Sequence, residues 1–348
     1  MPEVPRHKSK HERLAAHPLI TDEGHVTLVE PLDQSRNGEV RAAVRREIEA
    51  AGVDCRLADF RSGSDVDWEG LYEAMYEEGA PRRRIAAVRD LADRFERPYP
   101  SLLRLRVDPD TELDFEPGQY VTLRSGDTPR AYSLANSPDE HELEFCIRRV
   151  PGGRLTSELF VHVEEGDDVV VRGPYGEMAL SNPSKRDVAF LATGTGVAPF
   201  RSMIQHFFET GQDTHRGTER DVWLFLGCAW RDDLPYREWF ASLADEHENF
   251  HFVPTLTREP LLSDWSGEVD YVQQVFGTYI DGESVDLEAV PQSMRRYVAA
   301  DPIGARAQID PAHLDLYACG INAMVETLVR TARSVGVPEK HMDYEGFG

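Results

Sequence analysis

At 348 residues the chain is long enough for two or three domains, each with a core of its own. Lysine and arginine number 38 against 62 aspartates and glutamates, and the formal charge of −24 repels phosphate backbones and anionic membranes, arguing against nucleic-acid binding. Residues 1–19 are polar and no run approaches about 18 consecutive apolar residues, so a soluble cytoplasmic protein without membrane insertion is expected.

In chain order, residues 25–30 read as a strand, 38–51 as a helix rich in Glu and Arg, 53–60 as a second strand and 68–78 as an amphipathic helix. Residues 1–82 are therefore expected to form a small α/β extension for packing or docking, with no catalytic constellation. From 83 to 183 the texture changes to short alternating segments at 102–107, 119–124, 143–148 and 168–172, with turn clusters at 116–118, 125–129 and 151–153. Alternation of period two with regular turns predicts a small antiparallel β-barrel. From 184 to 348, near-continuous apolar runs at 187–192, 221–227, 250–256 and 314–318 are followed by helical stretches at 200–210, 236–247 and 323–335. Apolar runs without alternation fit parallel strands buried on both faces, which predicts a doubly wound sheet. Residues 278–313 are a long acidic insertion with no predicted structure.

Lysine occurs only at Lys8, Lys10, Lys185 and Lys340, a usage similar to that of proteins from salt-accumulating halophiles. The acid is spread along the whole sequence, which reads as environmental adaptation more than as a docking face. Cys55, Cys146, Cys228 and Cys319 are scattered without a CxxC pair, so no metal site, disulfide framework or cysteine-ligated iron-sulfur cluster is expected.

Three stretches carry chemistry. The first is the run 130–138, where Arg130, Tyr132 and Ser133 stand within four residues. An ordinary strand face produces such a pattern, but a guanidinium there also suits a diphosphate, and a phenol suits a flat ring. Next, glycines at 152–153 followed by Thr156 and Ser157 put free backbone N–H groups at a helix start, where an anion binds. The third is the glycine-rich turn 193–200, which joins a strand to a helix and lets a phosphate approach the backbone at Thr195 and Gly196.

Arg130, Tyr132 and Ser133 resemble the RxYS flavin signature of the ferredoxin–NADP reductase superfamily, and supporting motifs at 115–120, 150–157 and 173–176 follow in the family's order. The likeness covers about residues 84–348. It implies an antiparallel FAD-binding β-barrel over 83–183, a doubly wound NAD(P)-binding domain over 184–348, and FAD as cofactor with NAD(P)H as substrate. By resemblance, Arg130 meets the FAD diphosphate, Tyr132 packs along the isoalloxazine and Ser133 hydrogen-bonds its reactive nitrogen. Gly153, Thr156 and Ser157, with Arg148 as a further candidate, hold the same diphosphate, and Thr195 and Gly196 hold that of the nicotinamide nucleotide. Residues 318–324 resemble the family's CGxxxM segment, which puts Cys319 beside the hydride-carrying carbon. The terminus resembles the family's closing Glu-x-aromatic pattern, which implies Glu345 as acid and Phe347 as a lid over the flavin. Cys319 read on spacing alone is a small buried hydrophobe, and the terminus on its own is a polar tail.

For the coenzyme, Arg258 resembles an arginine that meets the adenosine 2′-phosphate, and Arg231 is a second candidate. Ala229 and Glu268 stand where that subgroup has further arginines, which leaves NADH and NADPH open. The implied activity is electron transfer between NAD(P)H and a one-electron carrier, ferredoxin or a similar protein. The alternatives are the reductase component of an oxygenase, a free-flavin or ferric reductase, or a non-catalytic sensor of nucleotide or redox state.

Overall fold

In the computed structural model, which describes residues 10–14, 16–53, 66–126, 128–303, 305 and 308–347, the alternating segments form one six-stranded sheet. Its strands are β1 (Ile20–Pro31), β2 (Leu102–Pro109), β3 (Tyr120–Arg124), β4 (Arg130–Ser133), β5 (Leu143–Arg148) and β6 (Asp168–Tyr175). They lie in the order β4-β3-β6-β1-β2-β5, each pair antiparallel. Alternation explains the packing: Leu103, Leu105 and Val107 of β2, Val121 and Leu123 of β3, and Val169 and Val171 of β6 all turn inward and are buried. Just past β4, the Ala135 N–H donates to the Glu144 carbonyl of β5 at 2.8 Å. That bond joins the two outer strands and closes the sheet on itself.

The division expected at residue 82 does not hold. β1 lies between β2 and β6 in the middle of the barrel sheet, so part of the expected extension is barrel. The strand read at 25–30 is there, but its place in the barrel was missed because β1 buries only Gly24 and Val26 and its neighbours come far later in the chain. The helices α2 (Asn37–Ala51), α3 (Trp68–Glu77) and α4 (Arg82–Glu96) are an insertion between β1 and β2, preceded by a short α1 (Lys10–Leu14). The strand expected at 53–60 lies outside the described residues beyond Val53. α4 occupies the start of the segment expected to be all strand; Ile85, Val88, Leu91 and Ala92 recur at helical spacing and are buried. The insertion leaves and re-enters the barrel at one point, where Leu32 N–H donates to Leu102 O at 2.9 Å. There Asp33 also accepts from Ser101 N–H at 2.9 Å and from its hydroxyl at 2.6 Å. Val44, Trp68, Met75 and Leu91 form its core, which extends onto Trp230 and Leu262 of the second domain.

That domain follows α5 (Arg154–Val161) and is built on β7 (Asp187–Thr193), a small hairpin of β8 (Thr214–His215) and β9 (Thr218–Glu219), then β10 (Val222–Cys228), β11 (Phe250–Leu256), β12 (Leu314–Ile321) and β13 (Met342–Phe347). The main sheet runs β11-β10-β7-β12-β13, all parallel. Residues 188–192 and 222–226 are each 2% exposed or less, as strands covered on both faces must be. Phe190 and Leu224 pack with α6 (Ala198–Glu209) and α7 (Arg237–Glu246). Leu191 and Phe225 face the other way, towards α8 (Val272–Thr278), α9 (Gln292–Val298) and α10 (Asn322–Ser334). The acidic segment 278–313 thus has structure: it holds α9 and buries Tyr279, Ile280 and Met294 against the sheet. The terminus is an edge strand, β13, rather than a tail. A barrel followed by a doubly wound sheet is the fold class that was expected, and no described helix is long and apolar enough to cross a membrane.

Candidate active site

The strand order of the parallel sheet reverses between β7 and β12, and in such sheets ligands bind in the crevice beyond the carboxyl ends at that point. Here a cleft of about 440 Å³ opens, lined among others by Thr193, Gly227, Ala229, Thr257, Asp270 and Met324. The turn after β7 requires glycine twice over. Gly194 has φ +52°, and a Cβ on Gly196 would stand 2.4 Å from the Cys319 carbonyl oxygen. The tight 194–197 turn follows the cleft-lining Thr193 and runs directly into α6, so free backbone N–H groups come at the start of that helix.

The barrel contributes β4. Arg130 is exposed; its guanidinium donates to the Pro129 carbonyl at 2.9 Å and has no carboxylate in ion-pair range among the described residues, which leaves a cationic fork for an anion. Tyr132 lies on the same side of the strand, its ring edge-on to Phe145 at 6.4 Å. Burial pushes its phenol up to about 12, with Arg130 acting in the opposite sense. Ser133 faces the other side and is paired in register with Tyr120, whose ring stacks on Tyr175 at 5.7 Å. Gly153 is the N-cap of α5 and supplies no side-chain cap, so the first N–H groups of that helix are open to an anion. Ser157 is partly exposed there, its own N–H bonded to Gly153 O at 2.9 Å. Thr156 is turned inward: 7% exposed, its hydroxyl accepts from Val150 N–H at 3.2 Å and lies 3.3 Å from Val150 O. It shapes the loop instead of facing a ligand.

Where barrel and sheet meet, four residues converge. Cys319 and Glu345 are partners across β12 and β13. Oε2 of Glu345 is buried without a hydrogen-bond partner, and burial raises its pKa. Burial, then the Glu345 charge, pushes the Cys319 thiol above its ordinary range, and the same two causes raise the Tyr120 phenol. Glu345 is therefore the register partner of Cys319 and within electrostatic range of Tyr120, itself the cross-strand partner of Ser133. Phe347 and Ile321, paired across the same strands, are 41% and 56% exposed at the rim.

Three expected ligand arginines are engaged elsewhere or stand apart. Arg148 donates to Asp233 at 2.9 Å, tying the barrel to the parallel-sheet domain rather than meeting a diphosphate. Asp233 is 3% exposed and also bonded by Arg97. Burial alone would raise its carboxyl, but Arg148 and Arg97 hold it below the ordinary value. Arg258 pairs with Asp90 of α4 at 3.0 Å. Arg231 is exposed, its backbone N–H given to Glu259 at 2.8 Å. Glu268 does not point at the cleft: its Oε1 accepts from Ile303 N–H at 3.0 Å. The cleft carboxylate is Asp270, for which the sequence offers no signal. Tyr120 was within reach, since it ends the supporting motif at 115–120.

Residues 100–180 match the oxidoreductase FAD-binding domain family and residues 190–330 the oxidoreductase NAD-binding domain family. The chain is 30% identical over 253 residues to the reductase component named naphthalene 1,2-dioxygenase system ferredoxin–NAD(P)(+) of Pseudomonas putida, covering 72% of this chain and 66% of that one. It is 30% identical over 270 residues to ferredoxin–NADP reductase B of Sorangium cellulosum, covering 76% of this chain and 96% of that one. A solved Amycolatopsis cytochrome P450 reductase shares the fold, with a TM-score of 0.60 at 23% identity over 95% of this chain and 71% of that one. The chain spans about half to two thirds of the length of several curated relatives that it matches. With both domain families in tandem and an alignment through nearly the whole of a ferredoxin–NADP reductase, the chain belongs to the ferredoxin–NADP reductase superfamily.

Proposed function

We propose that this oxidoreductase passes electrons between NAD(P)H and a one-electron protein carrier, ferredoxin or a close equivalent. The observation that carries the reading is the convergence of Ser133, Tyr120, Glu345 and Cys319 at the junction of the FAD-binding and NAD-binding domains. FAD, when bound, supplies the exchange between a two-electron donor and a one-electron acceptor. The residues fit it: an open guanidinium at Arg130 and the uncapped start of α5 at Gly153 and Ser157 suit its diphosphate, and the half-buried Tyr132 suits its ring. Ser133 orients the ring by a hydrogen bond. Thr195 and Gly196 hold the diphosphate of the nicotinamide nucleotide, and Cys319, kept as a neutral thiol by burial, packs beside the nicotinamide without attacking it. Glu345 holds or relays a proton at its unpartnered oxygen. Phe347, exposed at the rim, would serve as a lid over the flavin's open face and help to exclude water there.

The choice of ferredoxin is supported by two relatives whose names include it. The name of the Pseudomonas relative also favours a second reading, that of an oxygenase's reductase component. The four cysteines, scattered through the sequence, suit an iron-sulfur carrier on another protein. We keep with this reading a cytoplasmic setting and a salt-accumulating source, supported by the acidity and the scarcity of lysine. Purified holoprotein should show a flavin spectrum that NAD(P)H bleaches, and turnover with a purified ferredoxin should exceed that with free flavin, ferric chelates or cytochrome. A protein that retains no flavin sinks the whole reading; faster turnover with free flavin or ferric chelates sinks the carrier.

A further inference from the structure

The cleft has two distinguishable ends. One is lined by Ile321, Ala323 and Met324, just beyond the β12 position of Cys319, so with Cys319 beside the nicotinamide the adenosine half of a dinucleotide extends the other way, towards the ends of β10 and β11. There the walls are Ala229, Thr257, Asp270 and Tyr271, the last 63% exposed and able to offer its ring to a base. Among the described residues that line the cleft, none is lysine or arginine, and the exposed Asp270 is the acidic one. A ribose 2′-hydroxyl can donate to a carboxylate, whereas a 2′-phosphate, dianionic or nearly so, is repelled by one.

Arg258 stands one residue beyond Thr257 at this rim, and the exposed Arg231 stands two residues beyond Ala229. The backbone of Arg258 is fixed, its N–H donating to Ala229 O at 3.0 Å, while Thr257 N–H donates to Cys228 O at 3.1 Å. The Arg258 guanidinium reaches out of the domain to Asp90 on α4, 3.0 Å away. α4 is itself held against this turn. Arg36, just before α2, binds the buried Glu259 at 2.7 and 3.0 Å, and Leu262 is in the insertion's own core. Asp90 is therefore presented to Arg258 by a rigid body rather than by a loose surface contact.

We infer that Asp90, on a helix outside both nucleotide-binding domains, is a specificity-determining residue: by occupying Arg258 beside a cleft lined by Asp270, it withholds that guanidinium from a ribose 2′-phosphate and biases the site towards NADH. This rests on the cleft being the NAD(P)H site. The pair is partly exposed, 41% at Arg258 and 34% at Asp90, so freeing the arginine is worth about three- to fivefold in affinity.

The experiment is calorimetric titration of the flavin-loaded protein with AMP and with adenosine 2′,5′-bisphosphate. Wild type should bind AMP more tightly. Asp90→Asn should tighten the bisphosphate by about three- to fivefold with AMP unchanged, and Asp90→Asn combined with Arg258→Ala should lose that gain. The NADPH/NADH ratio of kcat/KM should move in parallel. A wild type that prefers the bisphosphate, an Asp90→Asn protein with no gain, or a gain that survives the loss of Arg258 each overturns the inference. Bleaching of the flavin by either coenzyme tests the electron-transfer reading separately, because the binding titrations do not depend on it.

Discussion

Glu345 should be destabilising where it is useful. Its side chain is partly buried, Oε2 has no partner, and burial raises its pKa above the ordinary 4.5. A carboxyl whose folded-state pKa lies above its unfolded value favours the native state only while protonated; relative to that, stability falls as pH rises through the folded value. Glu345→Gln keeps the shape and removes the charge. An ionised carboxylate without a partner for its buried oxygen costs more than a neutral amide in the same place, and with some solvent still reaching this side chain the difference is about 1 kcal/mol. At roughly 2–4 °C per kcal/mol for a domain of this size, the variant should melt about 2–4 °C above wild type near pH 8. Near pH 4, where both forms are uncharged, the gain should vanish. The same change should slow single-turnover bleaching of the flavin by about 10²-fold, since an amide neither holds nor relays the proton. Thermal melts of holoprotein at the two pH values, beside stopped-flow bleaching, measure both effects. A variant that melts below wild type at pH 8, or one stabilised equally at both pH values, refutes the account of Glu345 as an unpaired carboxylate.

Glu259→Ala should cost about 2–3 kcal/mol in urea unfolding, because Arg36, 8% exposed, loses its buried partner but keeps Glu39 and Asp232. Burial alone would raise the Glu259 carboxyl, but Arg36, the Arg231 N–H and Ser263 hold it below 4.5. Its contribution is then present above that pH and lost as pH falls through the lowered value, so mutant and wild type should converge in acid. Gly196→Ala sets a methyl 2.4 Å from the Cys319 carbonyl oxygen. It should destabilise by about 1–3 kcal/mol and weaken nicotinamide-nucleotide binding more than FAD retention, both followed by titration. Phe347→Ala removes a 41%-exposed ring and should raise nicotinamide affinity; unchanged binding discards the lid.

The barrel strands were legible because period-two alternation survives in 102–107 and 143–148, where one face is core and the other solvent. The parallel strands were legible for the opposite reason, an unbroken apolar run. β1 was legible as a strand at 25–30 but not as part of the barrel, since half of its length is exposed and its partners arrive only after three helices. α8 was overlooked at seven residues, too short for a periodic signal. Among site residues, those carried by local motifs, Arg130, Tyr132, Ser133 and Gly196, lie on β4 and on the turn after β7, and no carboxylate among the described residues pairs with Arg130. Arg148 and Arg258 are paired instead, with Asp233 and Asp90, which lie 85 and 168 positions away, and charge pairing over such separations leaves no local pattern. Thr156 went the same way on a smaller scale, its hydroxyl claimed by its own loop.

The doorway at Leu32 and Leu102 makes the three helices detachable in a way that the N-terminus is not. Cutting the chain at residue 82 would strip β1 from between β2 and β6 and leave two raw sheet edges. Joining 32 to 102 through a tight turn of about two residues would instead make β1 and β2 an ordinary hairpin, with every strand of the barrel retained. Such a module can be gained, exchanged or discarded by a lineage without rethreading the flavin barrel. Because it grips Arg258 from outside, coenzyme preference could change hands with a cassette rather than by remodelling the nucleotide cleft itself.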